Sequence, residues 1–444
     1  MRSLGLALLL AWSMVAGAGP VQRGERVAFV DVNVVPMDRE QVLSHQTVLV
    51  DGDAISAIGP SARIAVPTDA RRVEGHGTAF LVPGLADMHT HVSYEEDLAL
   101  FTANGVTTAL HMGDAPAWMA VSANSSVDDG SLVGPRLYFA FLIDGTAESE
   151  HFFVSSADEA RAAVDLAATN GYSFIKVYNH LTAPEFEAIV AEARKRGIAV
   201  IGHGVRAVGL PQALYQGEVM VAHAEEFYYT AFHNEGDRTR IPDVVAATLK
   251  SGAYVTPNLS GFEAFTVQWG KPQVAERFLH DPRAQFMTPA VRLLWKAHNS
   301  YVTRTGSIEP MLRFLREFTK ALSDAGVPLL TGTDSPLPGL YPGYSIHDDL
   351  RMLIDAGLTP YQALSAATRV PGEFIAKYVP DAPRFGTIAA GRRADLVLLR
   401  GNPLIDVGTL RTPLGVMTGG RWRSAEELQR VLDEHRALYG ALMH

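Results

Sequence analysis

The fold is decided between Ser173 and His223. This stretch opens with the apolar run Ser173-Phe174-Ile175-Lys176-Val177-Tyr178 and continues into Thr182-Ala183-Pro184-Glu185. It closes with two further runs, Ile198-Ala199-Val200-Ile201-Gly202-His203 and Val219-Met220-Val221-Ala222-His223. Thr182 followed three residues later by Glu185, with Pro184 in the first turn, is the signature of a capped helix start. Phe186, Ile189, Val190 and Ala193 then recur at helical spacing, and Gly197 stops the helix. A second, short helix runs through Leu214 and Tyr215 to Gly217. Strand, helix, strand, helix, strand is the pattern of parallel β/α units.

The alternation extends over residues 83–376. Candidate strands fall at 83–91, 106–111, 136–143, 173–178, 198–203, 218–223, 252–257 and 327–334. The expected fold is therefore α/β, a (β/α)8 TIM-type barrel. The stretch from Leu259 to Lys320, rich in Phe, Trp and Tyr, is surplus to such a barrel and reads as a lid-like helical insertion at 259–320. On either side the pattern changes to short β-branched runs. Residues 25–82 hold Val27-Ala28-Phe29-Val30 and Thr47-Val48-Leu49-Val50, with Asp51-Gly52 as a hairpin signal before Ala54 to Ile58. Residues 384–423 supply Phe385 to Gly391, Ala394 to Leu399 and Val416 to Trp422. Each part is too thin to close its own core, so the two are expected to form one small β-sandwich from both chain ends. A helix follows at 424–444.

Composition narrows the function. The 444 residues are 47% hydrophobic and 19% charged, with a net charge of −10 and no basic run, which argues against nucleic acid and anionic membrane as partners. Cysteine is absent, excluding disulfides, thiolate metal ligands and a thiol nucleophile. Residues 1–18 read as an export signal: Arg2, an apolar run from Leu4 to Val15, and Ala16-Gly17-Ala18 as the cleavage site. The expected location is periplasmic or secreted, with no membrane insertion after signal cleavage. Oligomeric state, a homo-oligomer included, is left open.

The chemistry collects at the carboxyl ends of the candidate strands, where barrel active sites lie. His89 and His91 share one strand face, so both imidazoles can reach one metal ion. His203, His223 and Asp334 end later strands. Singly each has a plainer reading: His203 as a turn residue, His223 as an ion-pair partner, Asp334 as a helix cap. Lys176 is the odd member, because an ammonium beside two dications is repelled. Addition of carbon dioxide to the neutral amine would give a carbamate whose two oxygens can bridge two metals. Such a pair can hold a hydroxide far below the pKa of free water.

The motifs Pro83-Gly84-Leu85-Ala86-Asp87-Met88-His89-Thr90-His91, Ile175-Lys176-Val177-Tyr178, Gly202-His203-Gly204, Ala222-His223 and Thr331-Gly332-Thr333-Asp334-Ser335 resemble those of the amidohydrolase superfamily. So does Gly386 to Val397 with Asn402-Pro403-Leu404 after it. Within the superfamily the chain is similar to imidazolonepropionase-like proteins and metal-dependent, prolidase-like dipeptidases. The resemblance implies that His89, His91 and Asp334 bind one divalent metal and His203 and His223 a second, zinc foremost, with carboxylated Lys176 bridging. It also implies that Asp334 serves as general base and then general acid. Lys176 favours the two-metal, dipeptidase-like branch. Tyr178, on the Lys176 face, is expected to donate to the substrate carbonyl, while His111, Arg206, Glu226 and His347 are candidate substrate-binding residues. The expected activity is hydrolysis of an amide or peptide-like C–N bond of a small dipeptide-like substrate. A lactone or phosphotriester hydrolase, and a non-catalytic metal-binding scaffold, are the alternatives.

Overall fold

Seven parallel strands lie side by side in chain order in the computed structural model: Leu85–Thr90, Val106–His111, Arg136–Ile143, Phe174–Val177, Ala199–Gly202, Glu218–Ala222 and Tyr254–Thr256. The structure describes residues 25–440 apart from Ser93, Pro116 and Glu150. The expected export signal at 1–18 therefore lies outside the described residues. Helices connect the strands, and the one following the Lys176 strand, Ala183–Arg196, has both halves of the Thr182/Glu185 capping box and ends on Gly197 at φ 69°.

The eighth segment closes the barrel without being a regular strand, contrary to the run expected at 327–334. Val255 donates to the Pro328 carbonyl and Leu330 to that of Val255, while Met88 on the first strand donates to Thr331. The next amides turn elsewhere: Thr331 to the Ala366 carbonyl, Gly332 to the Asp349 carboxylate at 3.3 Å and Thr333 to that of Asp87 at 3.0 Å. Buried side chains thus take the place of a strand ladder. Gly332 is required here, since a Cβ would stand 2.4 Å from the Thr256 methyl and 2.7 Å from the His89 Cβ.

The lower barrel is filled by Met88, Leu110, Tyr138, Phe174, Ile201, Met220, Tyr254 and Leu330. From below, the helix Arg369–Tyr378 inserts Phe374, stacked 5.4 Å from Phe174 and edge-on to Tyr254 at 4.9 Å. Polar residues are left to the opposite, carboxyl end.

The two chain ends build one mixed sheet. Its strands run Arg421–Ser424, Gly415–Thr418, Leu396–Leu399, Phe80–Pro83, Val27–Val34, Leu43–Asp51 and Ala54–Pro60, with Arg71–Glu74 beside Val27–Val34. Phe29 from the first part meets Trp422 from the second edge-on at 5.0 Å in a shared core. Residues 385–391, expected to be a strand, are turns, and the Ile388 amide donates to Pro36.

Helices Leu259–Gln268, Pro272–Leu279 and Pro289–Ala297 occupy the stretch after the seventh strand. The helix Glu309–Asp324, which starts inside that stretch, buries Met311, Leu312, Leu315, Phe318 and Leu322 along one face. Trp295 donates its indole N–H to the Pro336 carbonyl at 2.5 Å, so this region reaches the loop just after Asp334. The terminal helix Ala425–Gly440 holds it from outside, with Arg292 donating to the Tyr439 carbonyl at 3.1 Å.

Candidate metal centre

Asp334 is the point on which the histidines converge. His89 Nε2 and His91 Nε2 each lie 3.2 Å from its Oδ1, and His223 Nε2 lies 3.8 Å from its Oδ2. Ligand atoms of His89, His223 and Asp334 lie within 4.8 Å of one another. The His203 ring centroid is 4.9 Å from that of His223. Backbone hydrogen bonds fix the arrangement, with the Asp334 amide donating to His89 O and the His91 amide to Ser335 O, both at 2.7 Å. His223 and Asp334 carry φ of 74° and 59°, a left-handed conformation that costs a non-glycine residue about 1–2 kcal/mol. Strain at two strand ends that bear site residues is a mark of function.

The outer ring nitrogens decide the tautomers. His91 Nδ1 donates to the Gly113 carbonyl at 3.3 Å, and His203 Nδ1 donates to Asn179 Oδ1 and Glu226 Oε1, both at 3.1 Å. His223 Nδ1 donates to Asn258 Oδ1 at 2.9 Å. With protons held outside, the Nε2 lone pairs point inward. Burial lowers the proton affinity of His203, and far more that of His89 and His223, so these rings are neutral. Lone pairs and a carboxylate facing one another repel unless a cation lies between them. His89 adds a second sign: it is fully buried, and among the described residues its ring nitrogens have no polar partner but the facing Asp334 carboxylate. Imidazole and carboxylate form a donor set for Zn or another divalent ion, so the residues fit a metal centre.

Lys176 is 2% exposed. Burial lowers its pKa to about 8, against the pull of Asp334, Asp114 and Glu226. Tyr178 lies over His203 with centroids 4.1 Å apart, and its ring centre is 5.8 Å from the Lys176 ammonium. Burial, then Asp334 and Glu226, push the phenol up, which keeps it a donor.

The remaining expected site residues fall in different places. Arg206 is exposed, with its guanidinium 5.1 Å over the Tyr229 ring and its amide on the Asn179 carbonyl. Glu226 is 2% exposed and occupied by His203 and by Asn179 Nδ2, so it holds the His203 ring. His111 lies behind His91, stacked on Phe139 and donating from Nε2 to Val92 O at 2.8 Å. Its pKa drops to about 3 through burial and then His91. His347 is buried on the helix Ser345–Asp355 with Arg411 and Asp348 as its charged neighbours, and is not brought to the cluster.

Other residues at the site lay outside the sequence expectations. Asn179 and Asn258 follow strand ends and were findable by the rule that found the histidines. His151 pairs with Asp114 at 2.9 Å and meets the Tyr178 ring at 5.0 Å. Tyr229 and Tyr301 come from helical connections and stand in the field of Glu225, with Tyr301 also in that of Asp334. No local sequence signal marks those two.

The amidohydrolase family model matches residues 80–423, which makes the chain a hydrolase of the kind that acts on carbon–nitrogen bonds. The chain belongs to the amidohydrolase family. Ochratoxinase from Aspergillus niger is 21% identical over 448 aligned residues, which cover 86% of this chain and 83% of that protein. The bottromycin amidohydrolase structure is 25% identical, with a TM-score of 0.74 over 96% of this chain and 95% of its own. A Xaa-Pro dipeptidase solved with methionine in its active site is 21% identical, with a TM-score of 0.66 over 90% of this chain and 100% of its own.

Proposed function

We propose that this chain uses divalent metal ions, zinc foremost, to hydrolyse an amide or peptide-like C–N bond of a small, dipeptide-like substrate. The observation that carries the proposal is the convergence of imidazole nitrogens on the Asp334 carboxylate, the outer nitrogens of His91, His203 and His223 being tied to oxygen acceptors. His89, His91, His203, His223, Asp334 and a carboxylated Lys176 would hold the ions. When bound, these supply Lewis acidity toward the carbonyl and lower the pKa of water to about 7. Asp334 takes the proton of the attacking water and hands it to the departing nitrogen. The Tyr178 hydroxyl donates to the substrate oxygen as charge develops there. Arg206, exposed beside the aromatic wall of Tyr229, suits a substrate carboxylate.

A pKa of about 8 leaves part of the Lys176 population as free amine near neutrality. The amine nitrogen then bonds to the carbon of carbon dioxide and releases a proton, giving an anion in place of a cation. That the similar proteins include an amidohydrolase and a Xaa-Pro dipeptidase supports the bond class. The charged and apolar start of the chain supports export, and N-terminal sequencing of exported protein starting near Gly19 would bear this out, whereas a retained Met1 would refute it.

Metal content per chain and the mass of the native protein test the centre. Two metals, an added mass of about one carbon dioxide and loss of both in Lys176→Ala support it. One metal with an unmodified lysine refutes the bridge. Turnover of lactones or phosphotriesters with dipeptides and N-acyl amino acids inert refutes the bond class.

A further inference from the structure

Asn258 is a buried residue held at φ 51° and ψ 45°, directly after the seventh strand and directly before the helix Leu259–Gln268. With the amide turned so that its nitrogen faces the carbonyls of Gly332 and Thr333, each 3.1 Å away, that nitrogen donates to both and the oxygen accepts from His223 Nδ1 at 2.9 Å. The opposite orientation would set the amide oxygen against two carbonyl oxygens and leave the NH2 group facing His223. The two carbonyls therefore dictate which end of the amide His223 meets. An oxygen there requires the proton of a neutral imidazole at Nδ1 and turns the Nε2 lone pair toward Asp334.

We infer that Asn258 is a positioning residue that sets the tautomer and aim of His223 and ties them to the backbone carrying Asp334. This rests on the metal-centre reading for its consequence, but the tautomer belongs to the protein with or without metal. Gly332 is a shared node, because its amide donates to Asp349 Oδ2 at 3.3 Å and Asp349 Oδ1 accepts from the Ser260 amide at 3.2 Å. The beginning of the helical connection, the closing segment of the barrel and His223 thus form one hydrogen-bonded unit around Asn258. The left-handed backbone agrees with this role, since Asn and Asp tolerate that region better than other non-glycine residues.

The test uses the whole protein labelled with ¹⁵N-histidine, with the His223 signals identified by their loss in His223→Gln. In metal-free wild type, His223 is expected as the Nδ1–H tautomer. Asn258→Ala should lose that preference. Metal affinity, read by competition with a chelator, should weaken about 10- to 100-fold in Asn258→Ala, as for other outer partners of metal-bound histidine. In a His223→Ala background the same substitution should change affinity little, whereas a general loosening of the fold would weaken it again. An unchanged His223 tautomer in Asn258→Ala, or an equal loss of affinity in both backgrounds, overturns the inference. Wild type that binds no metal but keeps the Asn258-dependent tautomer refutes the metal reading and leaves the positioning role standing.

Discussion

Replacing Asp97 with Asn should stabilise the protein increasingly as pH rises. Asp97 is 3% exposed at the start of the helix Leu98–Ala103. Among the described residues Oδ1 has no hydrogen-bond partner, and Oδ2 has the Thr288 hydroxyl at 3.5 Å. Arg292 lies nearby, yet its Nη1 and Nη2 donate to the Ala284 and Tyr439 carbonyls at 3.4 and 3.1 Å and not to Asp97. Burial therefore dominates and raises the carboxyl pKa from 3.8 to about 7. Between these values the unfolded chain has released the proton and the folded one has not, so stability falls as pH rises from about 4 to 7. At 1.36 kcal/mol per pKa unit the full effect is at most about 4 kcal/mol. Asn mimics the protonated acid at every pH. The two proteins should be alike near pH 4, and the advantage of Asp97→Asn should grow by about 2 to 3 kcal/mol between pH 5 and 8. Denaturant unfolding across that range, with Tm as a second readout, measures it. A variant less stable than wild type at pH 8 would refute the reasoning, because it would show that Arg292 makes the ionised carboxylate net stabilising.

Trp422→Ala should cost about 3 to 5 kcal/mol, since its ring is 7% exposed against Phe29 and joins the two chain ends. Because Trp422 belongs to the core of the sheet and not to the residues around Asp334, KM of the surviving folded protein should stay within about twofold; unchanged stability would show that the sheet halves do not depend on this contact. Arg206→Ala should raise KM about 10-fold for a substrate with a free carboxylate, with kcat nearly unchanged, as expected for one charge-assisted hydrogen bond. An equal effect on the carboxamide analogue would contradict carboxylate recognition.

The alternation that specifies the barrel is legible because each strand and helix carries its own local signal, as Thr182, Glu185 and Gly197 do for one helix. The candidate site residues stand out as polar residues ending apolar runs, and the structure brings His89, His91, His223 and Asp334 together. The eighth segment departs from the expected strand for a physical reason. Its apolar pattern is that of a strand, but its amides bind Asp87 and Asp349, which are remote in sequence from the donors on one side or close only after a turn on the other. Glu225 and Glu226 are indistinguishable as letters. Helix geometry aims Glu226 at His203 and leaves Glu225 in the field of Tyr229 and Tyr301. His347 follows Asp334 closely in sequence, yet the intervening loop delivers it to a helix where Arg411 and Asp348 are its charged neighbours.

The irregular eighth segment also explains how the centre is held. A regular strand would aim Asp334 by its pleat alone, and φ 59° departs from that path. The conformation is imposed from both sides: Asp87 accepts from the Thr333 amide and, at 2.7 Å, from its hydroxyl, and the Asp334 amide donates back to His89 O. Asp87 in turn accepts from the His89 amide at 3.3 Å, so one buried carboxylate grips the chain before both His89 and Asp334. Burial raises that carboxyl to about 7 against those same hydrogen bonds, a cost the fold carries to keep two facing strand ends in register. A hydrophobic residue at 87 would pack as well but would leave the Thr333 amide unpaired in the barrel wall. Such strain and buried charge are best understood as the means by which the backbone fixes the geometry of the centre before any ligand arrives.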